Sequence, residues 1–418
     1  MNQADSAYLI NLLRNAGYQE TEQLEEAQVI IFNTCSVRQH AEERLFQHLK
    51  ALSPLKVKKN PIIGLVGCVP ALYREKLFGQ FPFIDFLAGP ESLAEVPLLI
   101  SRSKEGVKSA VFVSQGTTHF AYHQALKGNL CAFLPIICGC NNFCSYCVVP
   151  YVREKEKSRP AEQILAEANE MIRQGIREIT LLGQNVNSYR DGEIDFPLIL
   201  KKVAALPGLL RLGFLTSHPK DISLQLFRVM ADSKKIYRHL HLPLQSGSDK
   251  ILLLMNRRYT INHYLKIIEE ARRFIPSLTI TSDIIVGFPG ETESDFEETL
   301  NLIKKVEFDD LFAFKYSDRP KTAAEKLEPK ISPQVKEQRL AKLWEVQDAI
   351  SLRLNQAMVG KESEVLLLSK SYKNPGYLIG KTEKEKKVLV EGPPELVGRL
   401  VPVRITSADR QLLYGKPV

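Results

Sequence analysis

The sequence predicts an α/β fold in three consecutive parts. These are a doubly wound α/β domain over residues 1–105, a partial (β/α)6 barrel over residues 125–355 and a small β-barrel over residues 356–418. Three observations predict this order. Helix and strand patterns alternate from the start, six further apolar strand candidates are separated mostly by helical patterns, and the C-terminal part holds only short strand candidates with turn residues between them.

The N-terminal part opens with an amphipathic helix and continues with apolar runs that alternate with charged helices. Its strand candidates are the runs QVIIFNT, PIIGLVG and FPFIDFLAG. This alternation is typical of a parallel sheet with helices packed on its faces. The polar stretch SRSKEGVKSAVFVSQGTTHFAYHQALKGN is predicted to link this domain to the next.

The central part contains six strand candidates, namely AFLPII, EITLLGQ, LRLGFLT, HLHLPL, LTITSDIIVGF and DLFAFKY. Repeated strand and helix units imply parallel strands joined by right-handed crossovers. Because there are six such units and not eight, an open, partial barrel is expected. Catalytic residues should then lie at the C-terminal ends of its strands.

The C-terminal part follows a long charged helix and holds the short strand candidates of the predicted β-barrel. From Lys361 to Val418 there are 11 Lys and Arg against 7 Asp and Glu. The module is therefore basic, which suits an RNA-binding appendage.

Composition limits the function classes without choosing among them. The net charge of +8 is compatible with nucleic-acid binding and with many enzymes that do not touch nucleic acid. No apolar run reaches the roughly 18 residues that a membrane span requires, and the first residues do not form a signal peptide. A cytoplasmic protein without membrane contact is expected, and its seven cysteines are not expected to form a disulfide framework.

The sharpest chemical signal is a group of three cysteines directly after the first barrel strand. Cys140, Cys144 and Cys147 are separated by gaps of three and two residues. A tight loop can bring three such thiolates onto three irons of a [4Fe–4S] cube and leave the fourth iron open to a small molecule. A structural zinc site is the alternative, but it requires four ligands, and the spacing differs from paired CxxC knuckles.

This spacing and its location resemble the signature of radical S-adenosylmethionine (SAM) enzymes, and further motifs resemble the methylthiotransferase family within that class. Two of these motifs, NTCSVR and GQNVN, resemble the variants found in the branch that acts on isopentenyladenosine in tRNA. The motifs are NTCSVR at 33–38, GCV at 67–69, GQNVN at 183–187, SHP at 217–219, HLPLQSGS at 241–248 and VGFPGET at 286–292.

The resemblance implies an N-terminal domain with an auxiliary cluster, a radical SAM barrel and a C-terminal TRAM domain that contacts RNA. It further implies methylthiolation of N6-(dimethylallyl)adenosine next to the tRNA anticodon, with one SAM as radical source and a second as methyl donor. Two [4Fe–4S] clusters, SAM, an electron donor such as flavodoxin or ferredoxin, and a sulfur source would be required. A monomer is expected.

Two other functions stay open at this point. One is a sister methylthiotransferase that acts on threonylcarbamoyladenosine in tRNA or on a ribosomal protein. The other is a non-catalytic iron–sulfur protein that binds RNA through its basic β module.

The resemblance also assigns roles to individual residues. Cys140, Cys144 and Cys147 would hold the catalytic cluster, and Cys35 and Cys68 would hold the auxiliary one. Tyr146 would lie near the bound cofactor. The residues themselves add three candidates: Asn185 and Gln245 are expected to contact the cofactor or the base because they lie at barrel strand ends, and Asp283 is a candidate because a carboxylate inside an apolar strand needs a partner.

The sequence departs from the family at the auxiliary cluster, because the first of its three usual cysteines is absent. The opening MNQADS resembles the end of the family motif CQMNxxDS, so Met1 is expected to be an internal methionine of a longer working protein. The chain as written would then cleave SAM but fail to build a normal auxiliary cluster. In a rival hypothesis, Cys131 or Cys138 replaces the missing ligand.

For several other residues, the sequence allows two interpretations. Glu154 and Lys321 replace family glycines and would be strained if their φ angles are positive. The charge of Arg153 indicates either a solvated loop or a substrate clamp. His218 and His241 are either buried, hydrogen-bonded histidines or residues of the pocket.

Overall fold

The computed structural model describes residues 1–36, 39–112, 128–153 and 155–418. It divides into two compact units. The first comprises residues 1–127, 138–159 and 317–325, and the second comprises residues 128–137, 160–316 and 326–418. The segment that contains Cys140, Cys144 and Cys147 therefore folds with the N-terminal part. In the chain, it directly follows the first barrel strand, which belongs to the second unit.

The first unit is built on a four-stranded parallel sheet with the strand order β1-β2-β3-β4. The helices of its N-terminal part are α1 Asn2–Asn15, α2 Gln39–Lys59, α3 Cys68–Tyr73, α4 Lys76–Gln80 and α5 Val96–Lys104. The strands are β1 Val29–Thr34, β2 Ile62–Gly67, β3 Phe86–Ala88 and β4 Ser109–Val111.

Apolar cores lie on both sides of this sheet. Leu45 and Leu49 of α2 pack in one cluster, and Leu9 of α1 packs with Leu99 of α5 in another. Helices on two faces are the arrangement expected for a doubly wound domain. The predicted linker is partly wrong, since its first residues complete α5 and form β4. Its residues 113–127 lie outside the described residues.

The six predicted barrel strands are confirmed in the second unit. They form two three-stranded parallel sheets with the orders β11-β8-β5 and β12-β13-β14. The strands are β5 Cys131–Pro135, β8 Glu178–Leu182, β11 Arg211–Phe214, β12 His239–His241, β13 Thr279–Val286 and β14 Asp310–Lys315. Four shorter strands are β6 Ile137–Cys138, β7 Lys157–Ser158, β9 Arg190–Asp191 and β10 Ile194–Asp195.

Amphipathic helices separate the barrel strands, and a long helix follows the last one. The helices are α6 Val149–Val152 in the first unit and, in the second, α7 Ala161–Arg173, α8 Phe196–Ala204, α9 Leu224–Asp232, α10 Asp249–Leu254, α11 Ile261–Phe274, α12 Glu293–Val306 and α13 Pro333–Gln356. Side chains that face the helices pack as a buried apolar layer, which leaves polar side chains such as Thr180 and Thr281 on the other face of the strands.

The C-terminal strands close into a five-stranded barrel with the order β15-β16-β17-β19-β18, which confirms the predicted β-barrel. Its core contains Val365, Val388 and Val403. The strands are β15 Glu362–Lys370, β16 Tyr377–Thr382, β17 Lys387–Glu391, β18 Leu400–Ala408 and β19 Leu413–Pro417. None of the helices in the described part of the chain combines the length and the apolar character needed to cross a membrane.

Candidate cluster and cofactor sites

The loop that carries Cys140, Cys144 and Cys147 is tight. The Cys147 backbone N–H donates to the Cys144 carbonyl at 3.0 Å, and Phe143 between the first two cysteines has a φ of 49°. Cys144 is buried, whereas the other two are partly accessible. An aromatic residue in the left-handed region is a strained conformation that recurs at functional sites.

The loop supplies three thiols within residues 140–147, and thiolate is the ligand type that holds an iron–sulfur cluster. Burial raises the pKa of the Cys140 thiol, although hydrogen bonds with Asn142 oppose the shift. A cluster or metal that takes up these sulfurs must therefore displace their protons. Over the described ranges, no three His, Cys, Asp or Glu side chains are gathered closely enough to hold a single metal ion.

Cys35 and Cys68 follow the C-terminal ends of the adjacent strands β1 and β2 in the first unit. Thr34 pairs with Gly67 in the register of β1 and β2, and each cysteine follows one of these two residues. Thr34 Oγ1 donates to the Val66 carbonyl at 2.7 Å and accepts from the Val69 N–H at 3.2 Å. The C-terminal ends of β1 and β2 therefore carry one thiol each. Two thiols on adjacent strand ends suit two ligand positions of a cluster.

The two cysteines considered as replacement ligands have different surroundings. Cys138 belongs to the same unit as Cys35 and Cys68, and burial, followed by the charge of Glu91, raises its pKa to about 12. Cys131 belongs to the other unit and begins β5 opposite Glu178, and burial, followed by the charge of Glu178, raises its pKa to about 12. The hypothesis that either one is a ligand stays a prediction.

Arg153 is buried and paired, so both interpretations of its charge are wrong. Its Nη2 lies 2.9 Å from Asp5 Oδ2, and its Nη1 lies 3.5 Å from Glu91 Oε1. The guanidinium is neither a solvated group nor available to clamp a substrate. It instead fixes the segment after the cysteine loop to the N-terminal sheet domain.

Residues 317–325 also connect parts of the first unit. The Ala324 N–H donates to the Ser145 carbonyl of the cysteine loop at 2.8 Å, and Arg319 Nη1 donates to Glu42 Oε2 of α2 at 2.9 Å. Lys321 has a φ of 71°, which confirms the strain predicted at this glycine-replacing position. Glu154, the other such position, lies outside the described residues.

Gln245 and Asp283 are brought together in the second unit. The Gln245 N–H donates to the Asp283 carbonyl at 2.8 Å, and Gln245 accepts in turn from the Ile285 N–H at 2.9 Å. Gln245 has a φ of 75°. Asn185 follows β8, in the other barrel sheet, where its Nδ2 donates to Asp221 Oδ2 at 2.7 Å.

Several buried polar atoms near these strand ends have no hydrogen-bond partner among the described residues. β8 and β11 are neighbours, and the Val186 N–H donates to the Thr216 carbonyl at 3.0 Å just beyond them. Each unsatisfied buried group costs about 1–3 kcal/mol, so a polar ligand that satisfies several of them is expected. The atoms are Gln184 Oε1, Asn185 Oδ1, Ser217 Oγ and His218 Nε2.

His218 is a neutral hydrogen-bond donor. Burial and then the charges of Arg257, Lys220 and Arg258 lower its pKa to about 2. Its Nδ1 accepts from the Lys220 N–H at 3.2 Å, so the ring proton resides on Nε2. His218 is buried and hydrogen-bonded through Nδ1, and its free Nε2–H adds a donor to the unsatisfied group, so its role in the pocket stays a prediction.

The structure places Gln184 and Ser217, which sequence reasoning did not single out, among the unsatisfied buried groups together with His218, for which the sequence already allows a pocket role. The signal that would have singled them out was present, because all three belong to the GQNVN and SHP motifs at strand ends. Tyr146 lies in the first unit with the cysteine loop, whereas Asn185, Gln245 and Asp283 lie in the second.

Three family models match consecutive parts of the chain. The model of the uncharacterized protein family UPF0004 matches residues 1–89, that of the radical SAM superfamily matches residues 134–303, and that of the TRAM domain matches residues 356–418. Together they span most of the sheet domain, most of the partial barrel and the C-terminal β-barrel.

Curated relatives match the chain over almost its whole length. A protein of Thermodesulfovibrio yellowstonii is 44% identical over 419 residues, covering 99% of this chain and 96% of the relative. One of Caldicellulosiruptor saccharolyticus is 44% identical, with 100% and 90% covered. Both are named tRNA-2-methylthio-N(6)-dimethylallyladenosine synthase.

A solved structure shares the fold. The radical SAM methyltransferase TsrM from Kitasatospora setae, with cobalamin and a [4Fe–4S] cluster bound, has a TM-score of 0.58. It is 14% identical, and the match covers 76% of this chain and 73% of that one. At this identity the likeness concerns the fold alone.

Proposed function

The chain belongs to the family of tRNA-2-methylthio-N(6)-dimethylallyladenosine synthases, which are radical SAM enzymes, and on that premise we propose the reaction it performs. It places a methylthio group on N6-(dimethylallyl)adenosine next to the tRNA anticodon. Two SAM molecules are consumed, one as radical source and one as methyl donor. The observation that supports the proposal most directly is the group of buried polar atoms without hydrogen-bond partners at the barrel strand ends. The same chain also carries the cysteine loop.

Cys140, Cys144 and Cys147 hold the cluster to which SAM binds. The cluster and SAM together supply the one-electron chemistry that removes hydrogen from an unactivated adenine C–H. Cys35 and Cys68 contribute ligands to the auxiliary, sulfur-carrying cluster. This division predicts that the two cysteine groups are separable by substitution.

The barrel residues bind and orient polar groups of the cofactor. His218 Nε2 donates a hydrogen bond without carrying charge, Asn185 Oδ1 accepts one, and Ser217 Oγ can do either. Gln245 and Asp283, joined through their backbones at β13 of the other barrel sheet, are the remaining candidate contacts. Because Asn185, Ser217 and His218 are buried beyond the ends of the neighbouring strands β8 and β11, little reorganisation accompanies binding.

The C-terminal β-barrel contacts tRNA through an exposed aromatic residue flanked by lysines. Tyr372 is 99% exposed in the connection between β15 and β16. Lys370 and Lys373 lie on either side of it in the chain and are exposed. Stacking of an unpaired base on the ring and phosphate contacts by the lysines are typical of single-stranded RNA recognition.

The remaining requirements follow from this reaction. An electron donor such as flavodoxin or ferredoxin and a sulfur source act with the enzyme. It works as a monomer in the cytoplasm, where its tRNA substrate is present.

Anaerobic reduction of the cluster-reconstituted protein with SAM tests the proposal. The protein is expected to release 5′-deoxyadenosine, and Cys144→Ala is expected to abolish this release because the catalytic cluster loses a ligand. Cys35→Ala should retain the release, because Cys35 is not a ligand of the catalytic cluster.

Cys131→Ala is the matched control, and it should leave the release of 5′-deoxyadenosine unchanged. If the reconstituted parent protein released none, a non-catalytic iron–sulfur RNA-binding protein would be favoured. If Cys35→Ala instead stopped SAM cleavage, the proposed division between the two cysteine groups would be wrong.

A further inference from the structure

Four strands of the partial barrel begin at, or directly after, a titratable or charged residue. β8 and β11 are parallel, β12 and β14 are each parallel to β13, and a parallel bridge joins β11 to the segment before β12. The starts of these strands therefore lie at one end of the barrel, opposite to the end that carries the candidate cofactor contacts. The residues are Glu178 on β8, Arg211 on β11, His239 on β12 and Asp309 before β14.

Each of the four residues lies within ion-pair distance of a charged side chain of the C-terminal barrel. Three of the partners belong to residues 381–386, at the end of β16 and in the turn before β17, a segment called the docking turn from here on. The fourth partner lies on β15. The nitrogen–oxygen distances are 2.6 Å for Lys381 and Glu178, 2.6 Å for Arg211 and Glu364, 2.6 Å for His239 and Glu385, and 2.8 Å for Lys386 and Asp309.

Glu178 takes its cation from the C-terminal barrel. Its side chain is 2% exposed, and within the partial barrel it accepts from the Tyr237 hydroxyl at 2.9 Å. Tyr237 is a neutral donor, because burial, followed by the charges of Glu178 and Glu385, raises its pKa. A buried carboxylate that loses its cation is strongly destabilising, and Lys381 supplies that cation. The start of β8 therefore depends on a residue of the C-terminal barrel.

Lys381 lies between two carboxylates. Besides its contact with Glu178, its Nζ lies 3.2 Å from Glu385. Burial lowers the pKa of Lys381, but Glu385 and Glu178 outweigh burial and raise the pKa above the usual value of 10.5. Burial raises the pKa of Glu385, but His239 and Lys381 outweigh it and lower the pKa to about 2. Lys381 and Glu385 are therefore both charged at pH 7.

The docking turn is stabilised by its own hydrogen bonds. The Thr382 N–H donates to the Lys386 carbonyl at 2.9 Å, and the Lys386 N–H donates to Thr382 Oγ1 at 3.2 Å. Thr382 is fully buried. A turn that is closed in this way presents Lys381, Glu385 and Lys386 in a fixed arrangement, so little conformational entropy is lost when it contacts the strands.

We propose that the docking turn caps the N-terminal end of the partial barrel, and that the C-terminal barrel thereby stabilises the strands that carry the candidate cofactor contacts. The module is then a fixed part of the catalytic barrel and not a tethered RNA-binding appendage. Tyr372, which is 99% exposed, precedes the other end of β16 and stays available to RNA. At about 3.3 Å per residue, the six residues of β16 separate it from the docking turn by about 17 Å.

The consequence for the reaction rests on the proposed function, in which residues beyond the ends of β8 and β11 bind the cofactor. These two strands are fixed at their starts by Lys381 and Glu364, and they lead to Asn185 and His218 at their other ends. Loss of the docking contacts therefore loosens the strands that position the cofactor contacts. The C-terminal barrel has a structural role in the catalytic barrel in addition to its contact with tRNA.

Hydrogen–deuterium exchange of the full, cluster-reconstituted chain, read by mass spectrometry at pH 7 without substrate, tests the inference. Lys381→Met keeps a long apolar side chain and removes the charge. It is expected to raise the exchange rates of amides at the starts of β8 and β12 by at least about tenfold, because two carboxylates lose their cation. Lys416→Met, which breaks an exposed pair with Glu391 in the same module, is the matched control and should leave both strands unchanged.

Glu178→Gln combined with Lys381→Met distinguishes a direct contact from a general loss of stability. The double variant has no unpaired charge at residue 178, so the start of β8 should regain most of the protection that Lys381→Met loses. If Lys381→Met does not yield folded protein, Lys386→Met makes the same test at the start of β14 through its pair with Asp309. Barrel strands that exchange as in the parent protein would overturn the inference. So would additive effects of the substitutions at residues 178 and 381.

Failure of this inference and failure of the proposed function are distinguishable. The exchange experiment needs no turnover, so a protein that releases no 5′-deoxyadenosine can still show that the docking turn protects the barrel strands. Conversely, an active enzyme whose barrel strands exchange at the same rate with and without the Lys381 charge would refute the inference and leave the proposed reaction standing.

Discussion

At the residue scale, the buried pair of Arg319 and Glu42 fixes residues 317–325 to helix α2. Their side chains are 7% and 6% exposed. Arg319→Leu leaves Glu42 as a buried carboxylate without its cation, which is expected to lower the free energy of unfolding by about 3–5 kcal/mol. Chemical denaturation at pH 7 measures the change.

An exposed pair of the same type provides the control. Arg404 and Glu362 are 2.7 Å apart, with side chains 60% and 50% exposed. Arg404→Leu should cost less than about 1 kcal/mol because solvent screens exposed pairs. If the two variants lost equal unfolding free energy, the buried Arg319 would contribute no more to stability than an exposed arginine does.

Glu291 predicts a specific dependence of stability on pH. Burial raises its pKa to about 7 from a usual value of 4.5, although the Gly287 N–H and Arg339 oppose the shift. The native state therefore binds this proton more tightly than the unfolded state does, so this contribution to stability is present below about pH 4.5 and is lost as the pH rises to about 7.

Glu291→Gln should remove this contribution, so the difference in unfolding free energy between parent and variant should change across that window. Denaturation curves recorded between pH 4.5 and 7 measure it. A difference that stays constant across the window would contradict the raised pKa.

At the scale of elements, the strands and helices were largely predictable. All six barrel strands were recognisable because each buried strand is a short apolar run between helices of a different period. The chain after residue 101 was harder, since α5 ends and β4 begins within a stretch whose composition is typical of a loop. Strand β4 is stabilised by pairing with β3. This tertiary contact cannot be predicted from the residues of β4 alone.

Close packing between elements predicts the effect of a glycine substitution. A Cβ at Gly247 would lie 2.4 Å from the Thr299 Cα in α12, whereas one at Gly79 in α4 meets nothing within 4 Å. Gly247→Ala should therefore cost roughly 1–3 kcal/mol or more. Gly79→Ala should stabilise the protein by about 0.5–1 kcal/mol, because alanine favours helix.

Thermal or chemical unfolding of the two variants measures both effects. Opposite signs are expected for the same chemical change. A neutral Gly247→Ala would show that α12 and the loop after β12 are not packed as closely as the structure indicates.

At the scale of the whole molecule, the candidate site was predictable in its chemistry and only partly in its arrangement. The cysteine spacing indicates an iron–sulfur cluster by itself, because few other sites use three thiols in that pattern. The pairing of Arg153 with Asp5 and Glu91 was not predictable, since the partners are distant in sequence. The contact between Glu385 and His239 likewise depends on how the C-terminal barrel meets the strands.

In the proposed tRNA interface, we expect the lysines and the tyrosine to affect tRNA binding in different ways: the lysines change its salt dependence, and the tyrosine changes its affinity. Replacing Lys370 and Lys373 by Gln should lower the slope of log affinity against log salt by up to about two, because each lysine contributes at most about one released counterion. Tyr372→Ala should weaken binding by about 1–3 kcal/mol with the slope unchanged. Filter binding or anisotropy over a salt series measures both.

Lys361 is exposed at the start of the same module and provides a matched control. Lys361→Gln should alter the slope less than the double lysine variant does. An unchanged affinity in all variants would place the tRNA contact elsewhere.

Nucleoside analysis of tRNA from a strain that lacks this gene tests the proposed reaction. We expect methylthiolated N6-(dimethylallyl)adenosine to disappear and the unmodified precursor to accumulate, and we expect the natural gene, but not its Cys144→Ala variant, to restore the product. Unaltered levels of the methylthiolated nucleoside in the deletion strain would refute the proposed reaction.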